Sequence, residues 1–307
     1  MGFLHRFAFS ATSIVLLSLG SPTLAQSQDF TKVEIKTVPV EEGVYMLLGE
    51  GGNIGVSTGE DGVFLIDDQF APLTAKIQAA LDQITDKPVR FLLNTHWHFD
   101  HTGGNENFGK AGVVIIAHNH VRERLKTDQF LKVFDRKIPA SPAAALPIIT
   151  FGDTVTFHLN GQTIHAFHVE QAHTDGDSVI HFREANVIHV GDVYFNGIYP
   201  FIDTEHGGSL DGMIEATERI LAIADRDTKI IPGHGPLSNR AELVTYRRML
   251  LDVRSRTRTA IQTGITLTDF IASKPTADYD KTWGKGFLPP QKFLTIVYQD
   301  LAARSTP

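Results

Sequence analysis

The pattern of apolar positions changes from strand-like to helical early in the chain. Four short apolar runs separated by Gly-containing turns fill residues 33–67 and predict an antiparallel meander: VEIKTVPV, GVYMLLG, GNIGVSTG and GVFLIDD. Helical spacing follows over residues 71–84, and Lys87-Pro88 ends that helix before the buried strand VRFLLNTH. A short helix at residues 105–108, the strand VVIIAH and the helix NHVRERLK come next. Strands that alternate with helices in this way indicate an α/β arrangement.

The second half repeats this order. The runs DTVTFHL, QTIHAFHV, SVIHF and NVIHVGD predict another meander, followed by a helix over residues 209–224 and the strand TKIIPG. Helices are predicted at residues 239–263 and 290–303, with a loop containing Gly, Pro and Trp between them. We therefore expect two similar halves packed sheet to sheet with helices outside, which is a four-layer αββα sandwich of two mixed sheets.

The N-terminus has the layout of a secretory signal. Arg6 precedes an apolar run over residues 7–19, and Gly20, Pro22 and small residues lead to a predicted cleavage site after Ala25. The expected organisation is a signal peptide at residues 1–25 and one domain at residues 26–307. The mature protein is then expected to be periplasmic or secreted, without a stable membrane anchor.

Composition narrows the classes of partner and cofactor. The 307 residues are 42% hydrophobic, enough for a large core. The formal net charge of -7 argues against nucleic acid as a partner, because phosphate binding needs a concentrated basic surface. There is no cysteine, so the fold has no disulfide and a zinc ion would be held by His and carboxylate groups.

The stretch NTHWHFDHTGG concentrates metal-ligating side chains. Four such side chains lie within six residues: His96 and His98 at the end of the predicted strand, and Asp100 and His101 in a predicted turn that follows it. A single tetrahedral ion would not easily accept four ligands from so tight a segment, whereas two ions about 3.5–4 Å apart could share them. The sequence therefore predicts a centre of two metal ions.

Further ligand candidates follow strands in the second half. They are His173 in EQAHTDGDS, Asp192 in VIHVGDVYF and His234 in IIPGHGP, each in a loop or beside glycine. His165 and His168 are rivals to His173, but they lie within a predicted strand and lack that loop context.

These motifs, in this order, resemble those of the metallo-β-lactamase superfamily. The pattern H-x-H-x-D-H stands at residues 96–101 and is followed by Gly103-Gly104, and the later elements are His173, Gly191-Asp192 and Gly233-His234. The resemblance covers residues 33–260 and implies the fold of that superfamily. It also implies that His96, His98 and His173 hold one zinc ion, that Asp100, His101 and His234 hold the other, and that Asp192 bridges the two. Asp67 matches a carboxylate that steadies the metal loop.

Two Zn²⁺ ions are the expected cofactors, with Fe or Mn as alternatives, because a site of His and carboxylate ligands suits several metals. Zinc lowers the pKa of bound water to near 7, so that hydroxide can attack a carbonyl at neutral pH while the second ion stabilises the leaving group. Asp100 is a candidate to orient the nucleophile or carry its proton.

The substrate is a small molecule whose identity the motif leaves open. Asp192 and Phe195 stand where the cysteine-containing β-lactamases have a thiolate and a substrate-binding lysine. An exported hydrolase of cyclic amides or esters with β-lactamase activity, and hence a link to antibiotic resistance, is the leading hypothesis. A glyoxalase II-like thioesterase or a lactonase is the alternative, and a non-catalytic metal-binding envelope protein is a third.

The loop after Asp192 is expected to border the site. Tyr194 is a candidate catalytic residue that could donate to an oxyanion, and Asn196 and His206 are candidate substrate-binding residues. Phe70 is a candidate for a hydrophobic rim or for the core.

Overall fold

A computed structural model describes residues 1–2 and 29–304. The predicted signal peptide, residues 1–25, lies outside the described residues apart from the first two. In the described part, no helix combines the length and the apolar character needed to cross a membrane.

Strands and helices alternate over most of the described chain. In chain order the strands are β1 Lys36–Glu41, β2 Val44–Leu48, β3 Ile54–Ser57, β4 Val63–Ile66, β5 Val89–Asn94, β6 Val114–His118, β7 Gln129–Leu131, β8 Arg136–Ile138, β9 Ile149–Phe151, β10 Thr154–Leu159, β11 Gln162–His168, β12 Ser178–Phe182, β13 Val187–His189, β14 Lys229–Ile231 and β15 Ser238–Asn239. The helices are α1 Thr74–Asp82, α2 Phe99–Thr102, α3 Asn105–Lys110, α4 Asn119–Leu125, α5 Leu210–Ile223, α6 Arg240–Gln262, α7 Leu267–Ala272, α8 Asp280–Trp283 and α9 Pro290–Arg304.

The first sheet has the order β1-β2-β3-β4-β5-β6-β9. The predicted meander β1 to β4 is antiparallel, and β5, β6 and β9 continue the sheet in parallel. Helices α1, α3 and α4 lie in the connections between the parallel strands. Because parallel neighbours end at the same edge, the loops after β4, β5 and β6 meet there.

The second sheet has the order β10-β11-β12-β13-β14-β15. Its meander β10 to β13 is antiparallel, and β14 pairs in parallel with β13 after the helical crossover α5. Ser209 caps α5 by accepting from the Gly212 N–H, and Asn239 caps α6 by accepting from the Ala241 and Glu242 N–H groups. These polar caps explain why both helices begin where the sequence predicted.

Three hydrophobic clusters give the order of the layers. One cluster joins the two sheets, for example Phe64 and Ile116 with Ile180 and Phe182. A second packs the other face of the first sheet against α1, and the largest packs the second sheet against α5, α6 and α9. The four-layer αββα sandwich with mixed sheets is therefore confirmed.

Some short elements differ from the sequence prediction. The β7–β8 hairpin and β9 were not predicted, and α7 and α8 occupy part of the segment predicted as a loop. Asp100 and His101 lie in the four-residue helix α2 rather than in a turn. His96 and His98 lie in the loop after β5, which ends at Asn94, rather than within the strand.

Candidate metal centre

The metal motif leaves the first sheet at the end of β5. His96 and His98 lie in the following loop, and the first turn of α2 carries Asp100 and His101. The loop folds back closely on neighbouring backbone: a Cβ on Gly103 would lie 2.6 Å from the Gln69 carbonyl oxygen. Glycine at this position therefore lets the motif pack against the segment after β4.

The other three ligand candidates come from the second sheet. His173 lies between β11 and β12, Asp192 follows β13, and His234 follows β14. Rigid strands thus carry side chains from both halves to one edge of the sandwich, as expected for a site supported by a scaffold.

The seven candidates fall into two groups. His96, His98, His173 and Asp192 each offer a ligand atom within 4.8 Å of the others, and so do Asp100, His101 and His234. Within the first group, His98 Nδ1 lies 2.8 Å from His173 Nε2. Within the second, His101 Nε2 lies 3.3 Å from His234 Nε2, which is 3.2 Å from Asp100 Oδ2. The structure therefore brings all the predicted ligands together.

Asp192 lies between the two groups with one oxygen toward each. Its Oδ2 is 3.4 Å from His173 Nε2 and 3.7 Å from His96 Nε2. Its Oδ1 is 3.1 Å from His101 Nε2 and 3.5 Å from His234 Nε2. A carboxylate that bridges two ions requires this division of its oxygens.

Neighbouring groups fix the orientation of four imidazoles. His98 donates from Nε2 to Asp203 at 2.9 Å, His101 donates from Nδ1 to Asp67 at 2.8 Å, and His173 donates from Nδ1 to the Phe201 carbonyl at 2.8 Å. Thr95 donates its hydroxyl to Asp67 Oδ2 and lies 2.9 Å from His96 Nδ1, so that it can accept from that ring. Each ring then directs its other nitrogen toward the centre, as in metal-ligating histidines.

Unpaired buried atoms show that the cluster fits metal ions. His96 Nε2 and Asp192 Oδ1 are buried without a hydrogen-bond partner in the described part of the chain. Buried polar atoms normally have partners, and two acceptors aimed into one cluster match the donor set of a His and carboxylate metal site. Gly233 leaves room for the Asp192 carboxylate, since a Cβ at this position would lie 2.0 Å from Asp192 Oδ1.

Burial and neighbouring charges separate the pKa values of the clustered histidines. Burial, aided by neighbouring imidazoles, lowers the pKa of His96 well below its usual value and that of His173 to about 4. Burial also disfavours a charge on His234, but Asp192 and Asp100 outweigh it and raise the pKa to about 9. His96 and His173 are therefore ready as neutral ligands at pH 7, whereas a metal ion must displace a proton from His234.

A cavity of about 440 Å³ opens over the centre. Its polar lining includes His98, Asp100, Asp192 and His234. Apolar walls surround them: Phe70, Phe99, Leu131, Phe134, Phe201 and Phe287. Apolar walls around a few convergent polar groups are typical of small-molecule sites, and here they surround the ligand candidates.

The other predicted site residues lie as follows. Asp67 is fully buried behind His101, and Phe70 lines the cavity as a rim residue. His165 and His168 lie on β11, outside both ligand groups. Phe195 is buried and stacks on the His234 ring with a centroid distance of 5.3 Å.

Three expectations for the loop after Asp192 need correction, because the residues do not line this cavity. Tyr194 is buried, with its hydroxyl 3.0 Å from Ser238 Oγ and its ring against Tyr246. Asn196 donates to the Pro236 carbonyl, and His206 is buried and paired with Asp203. These contacts give the three side chains packing and positioning roles.

Several residues at the site were not found from the sequence. Asp203 and Thr95 hold imidazoles, while Glu50, Phe134, Arg136 and Phe287 line the cavity. Asp203 lies 105 residues from His98 in the chain, so that no local spacing signals their contact.

Known proteins are similar to this chain in sequence or in fold. The family model described as the metallo-beta-lactamase superfamily matches residues 47–234. The acyl-coenzyme A thioesterase MBLAC2 of Bos taurus is 22% identical over 207 residues, which are 62% of this chain and 72% of that protein. A hydroxyacylglutathione hydrolase of Polaromonas sp. is 25% identical over 182 residues, 57% of this chain and 60% of that protein. Among solved structures, the metallo-beta-lactamase from Pontibacter korlensis matches with a TM-score of 0.59 and 18% identity, covering 71% of this chain and all of that one (100%).

Proposed function

Since this chain belongs to the metallo-beta-lactamase superfamily, we propose that it is a dizinc hydrolase that cleaves a cyclic amide or ester, with a β-lactam as the leading substrate. The superfamily consists of hydrolases with a His and Asp metal site, and this chain has such a cluster. The observation that carries the proposal is the convergence of four oriented imidazoles on Asp192, directly beneath an apolar cavity.

The residues that would hold the ions are the two groups at the cavity floor, with Asp192 between them. When bound, the two ions supply a nucleophilic water of lowered pKa and stabilise the negative charge that develops during cleavage. Zinc is proposed because it accepts His and carboxylate ligands in hydrolytic centres.

Asp100 is the proposed proton-handling residue. Burial would raise its pKa, but His101 and His234 outweigh that effect and lower it to about 2. Its carboxylate is therefore ionised at neutral pH, and the side chain lines the cavity. It can accept a hydrogen bond from the attacking water and orient its lone pair toward a substrate carbonyl.

The apolar walls position the substrate. Phe99 lies between two ligands in the chain, and Phe201 stacks on the His98 ring with a centroid distance of 5.6 Å. These rings pack against the apolar part of the substrate and exclude bulk water from its carbonyl. The reacting bond is thereby held next to the ligand cluster.

Thioester or ester hydrolysis is the second candidate function. It is favoured by two relatives named for thioester substrates, the acyl-coenzyme A thioesterase and the hydroxyacylglutathione hydrolase. It also agrees with Phe195, which stands where the cysteine-containing β-lactamases have their lysine.

A substrate panel distinguishes these activities. The purified zinc-loaded chain is assayed with a chromogenic cephalosporin, a penicillin, a carbapenem, lactones, S-lactoylglutathione and short acyl-coenzyme A thioesters. The proposal predicts cephalosporin opening that is lost in chelator and in His96→Ala. Cleavage of thioesters or lactones alone would favour the second candidate, and tight metal binding without any turnover would favour a binding protein.

We further propose export, on the sequence of residues 1–25. Expression of the full chain in a Gram-negative host should give periplasmic protein that begins at Gln26, whereas a chain without residues 1–25 should stay in the cytoplasm. Fractionation with N-terminal sequencing tests this, and an unprocessed N-terminus in the full chain would refute it.

A further inference from the structure

The β7–β8 hairpin carries a cation to the cavity above the ligand cluster. The guanidinium carbon of Arg136 lies 3.7 Å from the centroid of the Phe99 ring. Phe99 separates the ligand candidates His98 and Asp100 in the chain. The positive charge of Arg136 is therefore fixed over the metal motif by a residue of that motif.

Stacking leaves the guanidinium available to a ligand. A guanidinium on an aromatic face can keep its N–H groups directed outward from its edge, where a carboxylate can accept two parallel hydrogen bonds. No ion pair formed within residues 29–304 involves Arg136, although Arg124 and Lys132 nearby pair with Asp175 and Glu205.

Mostly apolar residues surround the Arg136 guanidinium in the cavity lining. Among the residues that the structure describes, Arg136 is the one Lys or Arg side chain in the cavity lining, which it shares with six apolar residues. The tip of the hairpin adds Phe134, whose ring is 5.0 Å from that of Phe201. A ligand that satisfies this wall has an apolar or aromatic body and an anionic group at one end.

We propose that Arg136 is a specificity-determining residue that binds the carboxylate of an amphipathic acyl substrate. The carboxylate pairs with the guanidinium while the apolar body lies on the Phe walls, so that the scissile carbonyl faces the ligand cluster. This assignment rests on the proposed acyl hydrolysis at the same site.

Binding of a matched pair of probes tests the assignment without turnover. The probes are 1-naphthylacetate and its neutral amide, titrated into the zinc-loaded chain and followed by calorimetry. Arg136→Gln should raise the Kd of the anion about tenfold or more and leave that of the amide unchanged, because a charge-assisted hydrogen bond is lost. Arg136→Lys should restore part of the affinity for the anion, because it keeps the positive charge.

Lys137→Gln is the matched control. Lys137 is the exposed next residue of β8, and neighbouring strand residues point to opposite faces. The Lys137→Gln variant should bind both probes with the same Kd values as the parent. Equal weakening of both probes in Arg136→Gln, or no change in their ratio, would overturn the assignment.

Kinetics separates this proposal from the proposed function. For any hydrolysed substrate available as the free acid and as its methyl ester, Arg136→Gln should raise KM for the acid alone, with kcat little changed. A parent chain that hydrolyses nothing contradicts the acyl hydrolase, whereas the probe titration still decides whether Arg136 selects anions.

Discussion

Two adjacent buried acids next to the metal loop show how environment decides the role of a residue. Asp67 accepts hydrogen bonds from the Thr95 N–H, the Thr95 hydroxyl and His101 Nδ1, so that it orients a ligand ring. Asp68 accepts from the Gly104 N–H, and burial raises its pKa well above the usual value. Asp67 therefore orients a candidate ligand ring through its hydrogen bonds, whereas burial of Asp68 favours the neutral form of that side chain.

This contrast predicts different effects for the same substitution. Asp67→Asn removes an acceptor of the His101 proton and should weaken zinc affinity about 10- to 100-fold. Asp68→Asn keeps a side chain of similar shape that can accept from the Gly104 N–H, and burial already favours a neutral group there, so it should change zinc affinity by about threefold or less. Competition with a chelating dye measures both. Equal affinities in the two variants would show that Asp67 does not orient His101.

The candidate ligands could be found in the sequence, but the residues that orient them could not. His96, His98, Asp100 and His101 are contiguous, and the later ligands follow strands beside glycine or within loops. Asp203 and Arg136 gave no such signal, because their contacts with His98 and Phe99 depend on the packing of distant segments. Tyr194 lay near the site in sequence, but its side chain is directed into the helical core.

At the scale of elements, the loop after β14 leaves space for the Asp192 carboxylate, which is proposed to bridge the two ions. Gly233→Ala would place a methyl group 2.0 Å from the present position of Asp192 Oδ1. The carboxylate would have to move, so we expect zinc stoichiometry and affinity to fall. Gly152→Ala is the control, since its new Cβ would meet an atom no nearer than 3.8 Å. Metal analysis after dialysis checks both; full zinc content in Gly233→Ala would contradict the bridging role.

A second element-scale feature is the histidine stack where β6 meets α4. His118 is 4% exposed, and its ring stacks on that of His168 at a centroid distance of 3.8 Å. Burial, followed by the charges that His168 and His120 would carry, lowers the pKa of His118 to about 4, against the effect of Asp175. The folded state therefore favours neutral His118.

The stack predicts a pH dependence of stability. Between pH 6.5 and about 4 the unfolded chain binds a proton that folded His118 does not, so the free energy of unfolding should fall as pH falls through this range. His118→Asn keeps a side chain able to cap α4. Between pH 7.5 and 5, its free energy of unfolding should fall by on the order of 1 kcal/mol less than that of the parent. Urea unfolding in chelator at both pH values measures it. An identical loss in parent and variant would rule out His118 as the cause.

Long elements were easier to predict than short ones. Helices α5 and α6 have many periodic positions and polar caps, so that their bounds agree with the sequence to within a residue or two. The hairpin β7–β8 has three-residue strands, and α7 and α8 have six and four residues. Such short segments carry little periodic signal, and tertiary packing selects their conformation.

At the scale of the whole molecule, the two halves form the site jointly. The first sheet supplies the motif loop and the second supplies His173, Asp192 and His234, across a shared apolar core. The repeated order of meander, helix and strand allowed this sandwich to be predicted. The pairing of each ring with its support could not be predicted, because it depends on the exact placement of one sheet on the other.

The measurement that tests the account most directly is turnover as a function of zinc added to the metal-free chain. A panel substrate, beginning with the chromogenic cephalosporin, is followed at increasing molar ratios of zinc to protein. Turnover should rise to a plateau at about two equivalents, because two groups of ligands share Asp192. Absence of hydrolysis of every panel substrate at and beyond two equivalents would contradict the proposal that this chain is a dizinc hydrolase.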